Sequence, residues 1–244
     1  MERIRDVNAF AIGCWLPKPW HEQQLLACVL SIRSVGHVET ILILTVDPEL
    51  EERLEGRIEG LGCQVWTFPE IPTDPNFGTM MRADMQKLYF WAVSEFYDKV
   101  VGMDTDIIFH HNAEELFKLP AVTGFEPRHR AIMKSQPPVS FGHFVYKPDW
   151  KIVRDLKEII QEGFSVTGGW GHHGLLEWEG KEYHWDFFGA EAAAGYLYYY
   201  FYLRNKSNSV PRDVFCKCFK HYCGKMSREN KENYLIDMSK LIRF

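Results

Sequence analysis

The sequence lacks several features that would assign it to a common class of proteins. None of its apolar runs approaches the ~20 residues that a membrane-spanning helix needs, and residues 1–6 have no apolar core typical of a signal peptide. Its 28 basic residues are outnumbered by 33 acidic ones and are scattered along the chain, which argues against a nucleic-acid-binding surface. These absences predict a cytoplasmic protein with no membrane span and no nucleic-acid partner.

The cysteine content is also low: the chain has six cysteines in 244 residues, which is too few for a disulfide-stabilised scaffold. Three of them, Cys14, Cys28 and Cys63, lie inside apolar segments and are predicted to be buried free thiols. The other three crowd around His221 within residues 216–223. Their C-x-C-x2-H-x-C spacing lacks the two separated ligand pairs that structural zinc sites use, so we do not expect zinc there.

The region after the first predicted strand contains no glycine-rich phosphate-binding loop, which argues against a dinucleotide-binding site. Strand and helix patterns nevertheless alternate from the start of the chain, with strands predicted at 9–14, 40–46 and 64–68 and helices at 22–34 and 48–61. Such alternation predicts an α/β fold with a mostly parallel central sheet flanked by helices. Ligands of such sheets lie beyond the carboxyl ends of the strands.

The remainder of the chain shows neither an internal repeat nor a low-complexity segment, so residues 1–244 are predicted to form a single domain. Further helices are predicted at 83–96, 150–161 and 226–244, the last as a C-terminal extension, and a further strand at 139–146. Aromatic residues make up 15% of the chain. This enrichment suits sugar-stacking surfaces, but core packing is the simpler interpretation.

The most informative segment is 100–109, in which a hydrophobic strand leads into Asp104 and Asp106 and then resumes. Side chains at i and i+2 of an extended segment point to the same side, so the two carboxylates are expected to converge. Burying both costs free energy unless they are compensated, and a hard divalent cation would compensate them. From these residues alone, a metal–diphosphate site and a turn in which the aspartates cap backbone groups are the two alternatives.

Several further motifs accompany the Asp-x-Asp pair in a definite order. Along the chain they are Asn8-Ala-Phe-Ala-Ile, Ser31-Ile-Arg-Ser-Val, Lys87-Leu-Tyr-Phe-Trp, Tyr97-Asp-Lys-Val-Val-Gly-Met-Asp-Thr-Asp, Asn112-Ala-Glu-Glu-Leu-Phe, Phe141-Gly-His-Phe-Val-Tyr-Lys-Pro and His221-Tyr-Cys-Gly-Lys. Together they extend over residues 8–225, which is nearly the whole chain. This arrangement resembles the glycogenin-like glycosyltransferases, a family (family 8) with the GT-A fold.

The resemblance implies an activity and a metal site. The activity is metal-dependent transfer of a hexose, glucose or galactose by preference, from a UDP-sugar to a hydroxyl of a glycan or glycoprotein, with retention of anomeric configuration. Asp104 and Asp106 would bind Mn²⁺ or Mg²⁺, and His221 would be the third protein ligand, a set that suits manganese. The metal would neutralise charge on the departing UDP. A homodimer is left open.

By the same resemblance, other residues would contact the UDP-sugar. Lys87 matches the family lysine that touches the nucleotide or its sugar, and Arg82 is a second candidate nearby. Lys225 is the candidate for binding the diphosphate, although the family lysine stands three positions after the glycine and Lys225 follows Gly224 directly. The remaining predicted donor contacts are Ala11, Thr105 and Gly224.

The sugar-facing motifs depart from the family pattern. Where many members carry Asp-Gln-Gly, this chain has Ala193-Ala-Gly or, in an alternative alignment, His172-His-Gly. Glu191 lies close enough in sequence to supply a carboxylate, and Glu191 and Lys225 are the predicted catalytic residues. Segment 167–174 is the predicted lid over the donor. The departures leave a catalytically inactive UDP-sugar-binding protein as the alternative. A nucleotidyltransferase is less favoured, because it would need a phosphate-cradling loop near the first strand.

Overall fold

The structure is a computed structural model that describes residues 7–16, 18–71, 82–83, 85–93, 96–121, 123–125, 140–161, 166–167, 173–178, 181–186, 208–210, 217–221, 233–235 and 237. For residues 124–125, 140–141, the described parts of 156–210, and His221, only the backbone is described. None of the helices among these residues is both long enough and apolar enough to cross a bilayer.

The described residues include twelve strands, three α-helices of five residues or more and two 3₁₀-helices, besides further α-helical residues at 82–83, 85, 233–235 and 237. The strands are β1 Asn8–Cys14, β2 Thr40–Thr45, β3 Cys63–Thr67, β4 Lys99–Asp104, β5 Ile107–Phe109, β6 Thr123–Phe125, β7 Ser140–Tyr146, β8 Val166–Thr167, β9 His173–Trp178, β10 Lys181–Asp186, β11 Asn208–Val210 and β12 Phe219–His221. The helices are α1 Pro19–Ser34, α2 Leu50–Leu54 and α3 Trp150–Gln161, with 3₁₀-helices at Gln86–Ala92 and Glu114–Lys118.

Seven strands form the central sheet in the order β11-β6-β7-β4-β1-β2-β3. Strand β1 lies between β2 and β4 and is parallel to both, and β3 is parallel to β2. Only β7 is antiparallel to its neighbours β4 and β6. The predicted α/β fold with a mostly parallel sheet is therefore confirmed. The sequences of its central strands are continuous apolar runs because both faces of the sheet are covered.

The two faces of the sheet differ in the size of their side chains. On one face, Phe10, Ile12 and Met103 pack in a buried cluster with residues of α1, among them Leu25 and Ile32. Alternation and strand register place Ala9, Ala11, Gly13, Gly102 and Asp104 on the opposite face. A Cβ at Gly102 would lie 3.0 Å from the rings of Phe144 and Tyr146. The small residues thus make room for a layer of aromatic side chains.

That aromatic layer comes from the 3₁₀-helix Gln86–Ala92 and from β7. Trp91 stacks on Phe144 with the ring centroids 5.2 Å apart, and Phe90 meets the same ring edge to face at 5.2 Å. Tyr146 lies 5.2 Å from Trp91 and has no solvent exposure. In this part of the chain the aromatic residues are used for core packing, as the composition suggested.

Two predicted helices are shorter or tighter than expected. The helix predicted at 48–61 ends at Leu54, because Gly56 and Gly60 adopt φ near +72°, a left-handed conformation that ends a helix. Within the predicted helix 83–96, residues Gln86–Ala92 form a 3₁₀-helix, and the Gln86 amide holds its start by accepting the Ile71 N–H and donating to the Ile71 carbonyl.

Two side chains of the motif that begins at Ser31 connect α1 to neighbouring segments by hydrogen bonds. The Ser31 hydroxyl accepts the N–H of Phe109 in β5 at 3.0 Å. Arg33 donates to the carbonyls of His37 and Leu61 at 2.9 and 2.6 Å and thereby fixes the turn before β3. Of the predicted C-terminal extension, residues 233–235 and 237 are described and are helical, and Tyr234 is buried against α1 and β5.

The described cysteines are free thiols: Cys14, Cys28 and Cys218 are buried and Cys63 is partly buried. Burial, followed by the nearby negative charges of Glu22 and Asp47, raises the pKa of Cys14 to about 12. A thiol with such a pKa remains protonated at neutral pH and is a poor nucleophile or metal ligand. The prediction of buried free thiols is confirmed for Cys14 and Cys28.

An ion network joins α1, the end of β2 and α2. Arg53 bonds Asp47 and lies 2.8 Å from Glu22 Oε1 and 3.5 Å from Glu49 Oε2. Burial alone would raise the pKa of Asp47, but the bonds from Arg53 and from the Glu49 N–H outweigh it and lower that pKa. A carboxyl with a lowered folded pKa stabilises the fold above its unfolded pKa of about 3.9 and loses that contribution as the pH falls.

We expect Arg53→Met to lower the free energy of unfolding at pH 7 by about 1 kcal/mol, since the network is partly exposed. The difference from wild type should shrink as the pH falls below about 4, because the unfolded chain binds a proton at Asp47 at a higher pH than the folded wild type does. Urea unfolding at pH 7, 5 and 3.5 measures both effects. Lys118→Met, which removes an exposed pair with Glu115, is the control. A pH-independent difference would contradict this account.

The Tyr146 hydroxyl is buried and has no hydrogen-bond partner within the described part of the chain. We expect Tyr146→Phe to leave the free energy of unfolding unchanged or to raise it by up to about 1 kcal/mol, because the desolvated hydroxyl is removed without loss of ring packing. Tyr146→Ala should cost about 3–5 kcal/mol. Urea unfolding compares the two variants, and a cost above about 1 kcal/mol for the phenylalanine would reveal a partner for the hydroxyl.

Candidate active site

The candidate site lies at the carboxyl edge of the central sheet. Asp104 is the last residue of β4 and is paired in register with Gly13, the residue before the end of β1. Because β1, β2 and β4 are parallel, their carboxyl ends meet at this edge, where ligands of α/β sheets bind. Asp104 is half-buried there, at the end of a strand whose preceding four residues are buried.

Asp104 is paired with a lysine from the 3₁₀-helix. The Lys87 ammonium lies 3.1 Å from Asp104 Oδ2, and the two side chains are 13% and 27% exposed. Residues three apart in a 3₁₀-helix lie on the same side, so Lys87 and Phe90 face the sheet together. Phe90 in turn meets Trp15 edge to face at 5.7 Å.

The charge of Asp106 acts on residues of helix α1. The chain bends at Thr105 and Asp106 before β5 begins. Burial lowers the pKa of His21 on α1, and the negative charge of Asp106 partly opposes this shift. Burial raises the pKa of Cys28 on the same helix, and the charge of Asp106 raises it further. Because this bend interrupts the strand, extended i, i+2 alternation does not itself fix the two carboxylates, and their convergence on one ion stays a prediction.

The third predicted ligand is placed close to the aspartates by its backbone. Strand β12 pairs antiparallel with β5, and His221 lies opposite Ile107, the residue after Asp106. Opposed residues in such a pair have Cα atoms about 4.5–5.5 Å apart. Among the side chains that the structure describes, no group of three histidine, cysteine or acidic residues assembles a metal site. The side chain of His221 lies outside that set, so its role as a ligand stays a prediction.

The other residues that are predicted to contact the donor lie in three different environments. Arg82 forms an exposed ion pair with Glu70 at 3.1 Å. Ala11 has no exposed surface and lies on the same face of the sheet as Gly13. The Thr105 side chain is buried, with its hydroxyl 3.5 Å from Gln24 Oε1 of α1. Their contacts with a donor stay predictions.

Several predicted residues lie outside the described residues. These are the predicted catalytic residues Glu191 and Lys225, together with Gly224 and residues 193–195. Of the predicted lid 167–174, only the two ends are described. Thr167 belongs to β8 and His173 to β9, in a three-stranded antiparallel sheet with β10, so these ends are strands rather than loop.

Sequence reasoning missed Trp15 and His21. The Trp15 indole covers Gly13 so closely that a Cβ there would lie 2.3 Å from Nε1, and this N–H has no hydrogen-bond partner among the described residues. His21 is half-buried on α1, with burial lowering its pKa. The available signal was the aromatic turn 15–20 directly after the first buried strand, at the edge where ligands bind.

Sequence comparison relates the chain to glycosyltransferases from a plant. It is 27% identical over 174 residues to "Putative glucuronosyltransferase PGSIP8" and 25% identical over 162 residues to "Putative glucuronosyltransferase PGSIP7", both from Arabidopsis thaliana. The matches cover 68% and 63% of this chain but only 33% and 31% of those proteins. The chain therefore spans about a third of the length of these curated relatives. No protein-family model matches the sequence.

Solved structures support the fold. The glycosyltransferase GlyE of Streptococcus pneumoniae TIGR4 superposes with a TM-score of 0.59 at 12% identity, over 96% of this chain and 62% of that one. The galactosyltransferase LgtC, solved with donor and acceptor sugar analogues, superposes with a TM-score of 0.59 at 11% identity over 95% of both chains. The chain has the GT-A fold of these glycosyltransferases. The narrower assignment to the glycogenin-like family stays a prediction.

We expect Gly13→Ala to lower the free energy of unfolding by about 1–3 kcal/mol, because its methyl group would displace the Trp15 indole. Combined with Trp15→Leu, the same change should cost much less, since the clash is then removed. Urea unfolding of the two single variants and the double variant measures the coupling. Additive costs would show that the indole does not occupy the space over Gly13.

Proposed function

We propose that the chain is a metal-dependent glycosyltransferase that moves a sugar from a UDP-sugar to a hydroxyl of a glycan or glycoprotein. The observation that carries this proposal is the charge arrangement at the carboxyl edge of the GT-A sheet. Asp104 ends a central strand and already binds a cationic group, the Lys87 ammonium, at 3.1 Å. The backbone of His221 runs beside the chain just after Asp106.

The residues fit a divalent cation by their chemistry. Two carboxylates and an imidazole form a donor set that suits Mn²⁺, and Mg²⁺ would be bound through the carboxylates. Asp104, Asp106 and His221 would hold the ion. Once bound, the ion would supply Lewis-acid stabilisation of the departing diphosphate.

The chain's own residues would bind and orient the donor. Lys87 brings a positive charge to the edge where the diphosphate would lie, and such preorganised charge stabilises a leaving group. Trp15, which packs against Phe90, covers Gly13, the in-register neighbour of Asp104, and buried apolar rings at this edge would strengthen electrostatic interactions. Retention of configuration, implied by the resemblance to the glycogenin-like family, is part of the proposal.

The sugar is the least constrained part of the proposal. The resemblance favours glucose or galactose, whereas the names of the Arabidopsis relatives add glucuronic acid to the donors that should be tested. The departure at Ala193-Ala194 removes two polar side chains that would face the sugar in the family pattern. A donor panel must therefore include UDP-glucose, UDP-galactose and UDP-glucuronic acid.

The test is release of UDP from this panel with Mn²⁺, with Mg²⁺ and with a chelator. We expect one donor to be turned over in a metal-dependent reaction, and Asp104→Asn or Asp106→Asn to reduce turnover by roughly a hundredfold or more, the scale of loss for a preorganised electrostatic group. Asp98→Asn is the matched control, because Asp98 is exposed just before β4, about 20 Å away along the same strand.

Two outcomes would contradict the proposal in different ways. Metal-dependent binding of UDP without turnover of any donor would favour the inactive UDP-sugar-binding protein. Turnover that persists in chelator and in Asp106→Asn would show that the aspartates do not bind a required metal.

A further inference from the structure

The side-chain amide of Gln86 makes three hydrogen bonds to the backbone in a buried position, since the residue is only 1% exposed. Its Oε1 atom accepts the Ile71 N–H at 2.8 Å. Its Nε2 atom donates to the carbonyls of Ile71 at 3.3 Å and Arg82 at 3.0 Å. An amide whose oxygen and both N–H donors are used in this way is fixed in orientation. Two of the three bonds join the start of the 3₁₀-helix to a separate segment of the chain.

The segment that Gln86 holds follows β3 and is itself attached to the central sheet. The Phe68 N–H donates to the carbonyl of Thr45, the last residue of β2, at 2.9 Å. The Phe68 ring stacks on Tyr89 with the ring centroids 4.4 Å apart, and the Tyr89 hydroxyl donates to the Pro69 carbonyl at 2.6 Å. The 3₁₀-helix is therefore bound, at both Gln86 and Tyr89, to a segment that begins at the carboxyl edge of the sheet.

This attachment sets the direction of the residue that follows Gln86. A 3₁₀-helix has three residues per turn, so successive side chains point about 120° apart. With Gln86 directed at Ile71, the next side chain reaches the end of β4, where the Lys87 ammonium lies 3.1 Å from Asp104 Oδ2. Because the four-carbon stem of a lysine is flexible, its ammonium is held at one place only if the backbone that carries it is fixed.

We propose that Gln86 is a positioning residue of this site: its amide fixes the start of the 3₁₀-helix, and this holds the Lys87 ammonium at the edge where the donor diphosphate would bind. The inference rests on the proposed function, in which Lys87 stabilises the departing diphosphate, and adds the residue that keeps Lys87 in place. A preorganised charge is effective because it does not have to move during the reaction. Loss of the Gln86 amide would keep the charge of the lysine but remove its preorganisation.

The first experiment measures the placement of the Lys87 ammonium without relying on turnover. The protein is treated briefly with an acetylating reagent, and mass spectrometry follows the acetylation of each lysine. In wild type, Lys87 should react slowly because its side chain is 13% exposed. In Gln86→Met, which keeps the length of the side chain but lacks the amide, we expect Lys87 to react roughly tenfold faster, the scale of one lost hydrogen bond to a charged group. Lys118, which is 66% exposed, is the internal reference.

Two further variants separate positioning from a general loss of stability. Arg33→Met removes hydrogen bonds to two carbonyls at the opposite edge of the sheet and should leave the acetylation rate of Lys87 unchanged. Gln86→Glu keeps an acceptor for the Ile71 N–H and is the second variant in case Gln86→Met does not fold. It should shift the rate in the same direction, because both donated bonds are lost. An unchanged rate for Lys87 in the folded Gln86 variants would overturn the inference.

The second experiment tests whether Gln86 acts through Lys87 in the reaction. Turnover of the preferred UDP-sugar is compared in wild type, Gln86→Met, Lys87→Met and the double variant. We expect Gln86→Met to lower kcat roughly tenfold with little change in KM, because a preorganised charge matters most in the transition state. In the Lys87→Met background the same change should cost less than about twofold. Equal costs in the two backgrounds would show a structural role alone and would overturn the inference.

The two experiments distinguish failure of this inference from failure of the proposed function. If wild type turns over no donor, the proposed function fails, and the acetylation rates alone decide whether Gln86 positions Lys87. If wild type turns over a donor but Lys87 is acetylated at the same rate in wild type and Gln86→Met, the proposed function stands and the positioning role is wrong.

Discussion

The carboxylate of Asp104 must be compensated at the end of a buried strand, and the structure around the sheet edge follows from this requirement. Strand β4 is covered on both faces, so charged side chains are accommodated only at its two partly exposed ends, and Asp104 stands at the carboxyl end. A lysine in the 3₁₀-helix supplies the positive charge at 3.1 Å. This edge of the sheet therefore pairs a carboxylate with a positive charge.

The difference between the two faces of the sheet explains how the lysine reaches the aspartate. Alanine and glycine on β1 and β4 leave space that Trp15, Phe90, Phe144 and Tyr146 fill. This lets the 3₁₀-helix lie close to the strands, and residues three apart then present a ring and an ammonium to the same side. On the opposite face, large aliphatic residues pack against α1. The negative charge of Asp106 acts on His21 and Cys28 of α1.

Much of the fold could be predicted from periodicity. The bounds of β1 and β3 were predicted within one residue, and α3 was predicted at its observed limits, because an apolar run or an amphipathic pattern defines each of them. The helix at 48–61 was predicted too long, since glycines whose left-handed φ depends on the surrounding turn ended it at Leu54. The start of the 3₁₀-helix Gln86–Ala92 is held by two hydrogen bonds between the Gln86 amide and the backbone of Ile71, fifteen residues away, which no local pattern reveals.

The sequence by itself determined the order of strands and helices from β1 to β3, the place of the paired aspartates at the end of a buried strand, and the residue types able to bind a metal. These follow from local alternation and from the chemistry of single side chains. The tertiary structure alone decided which groups meet: Lys87 with Asp104, Trp15 over Gly13, and the His221 backbone beside Ile107. Each pairing joins residues from separate elements or depends on a bend, and it is the packing of the whole sheet that brings them together.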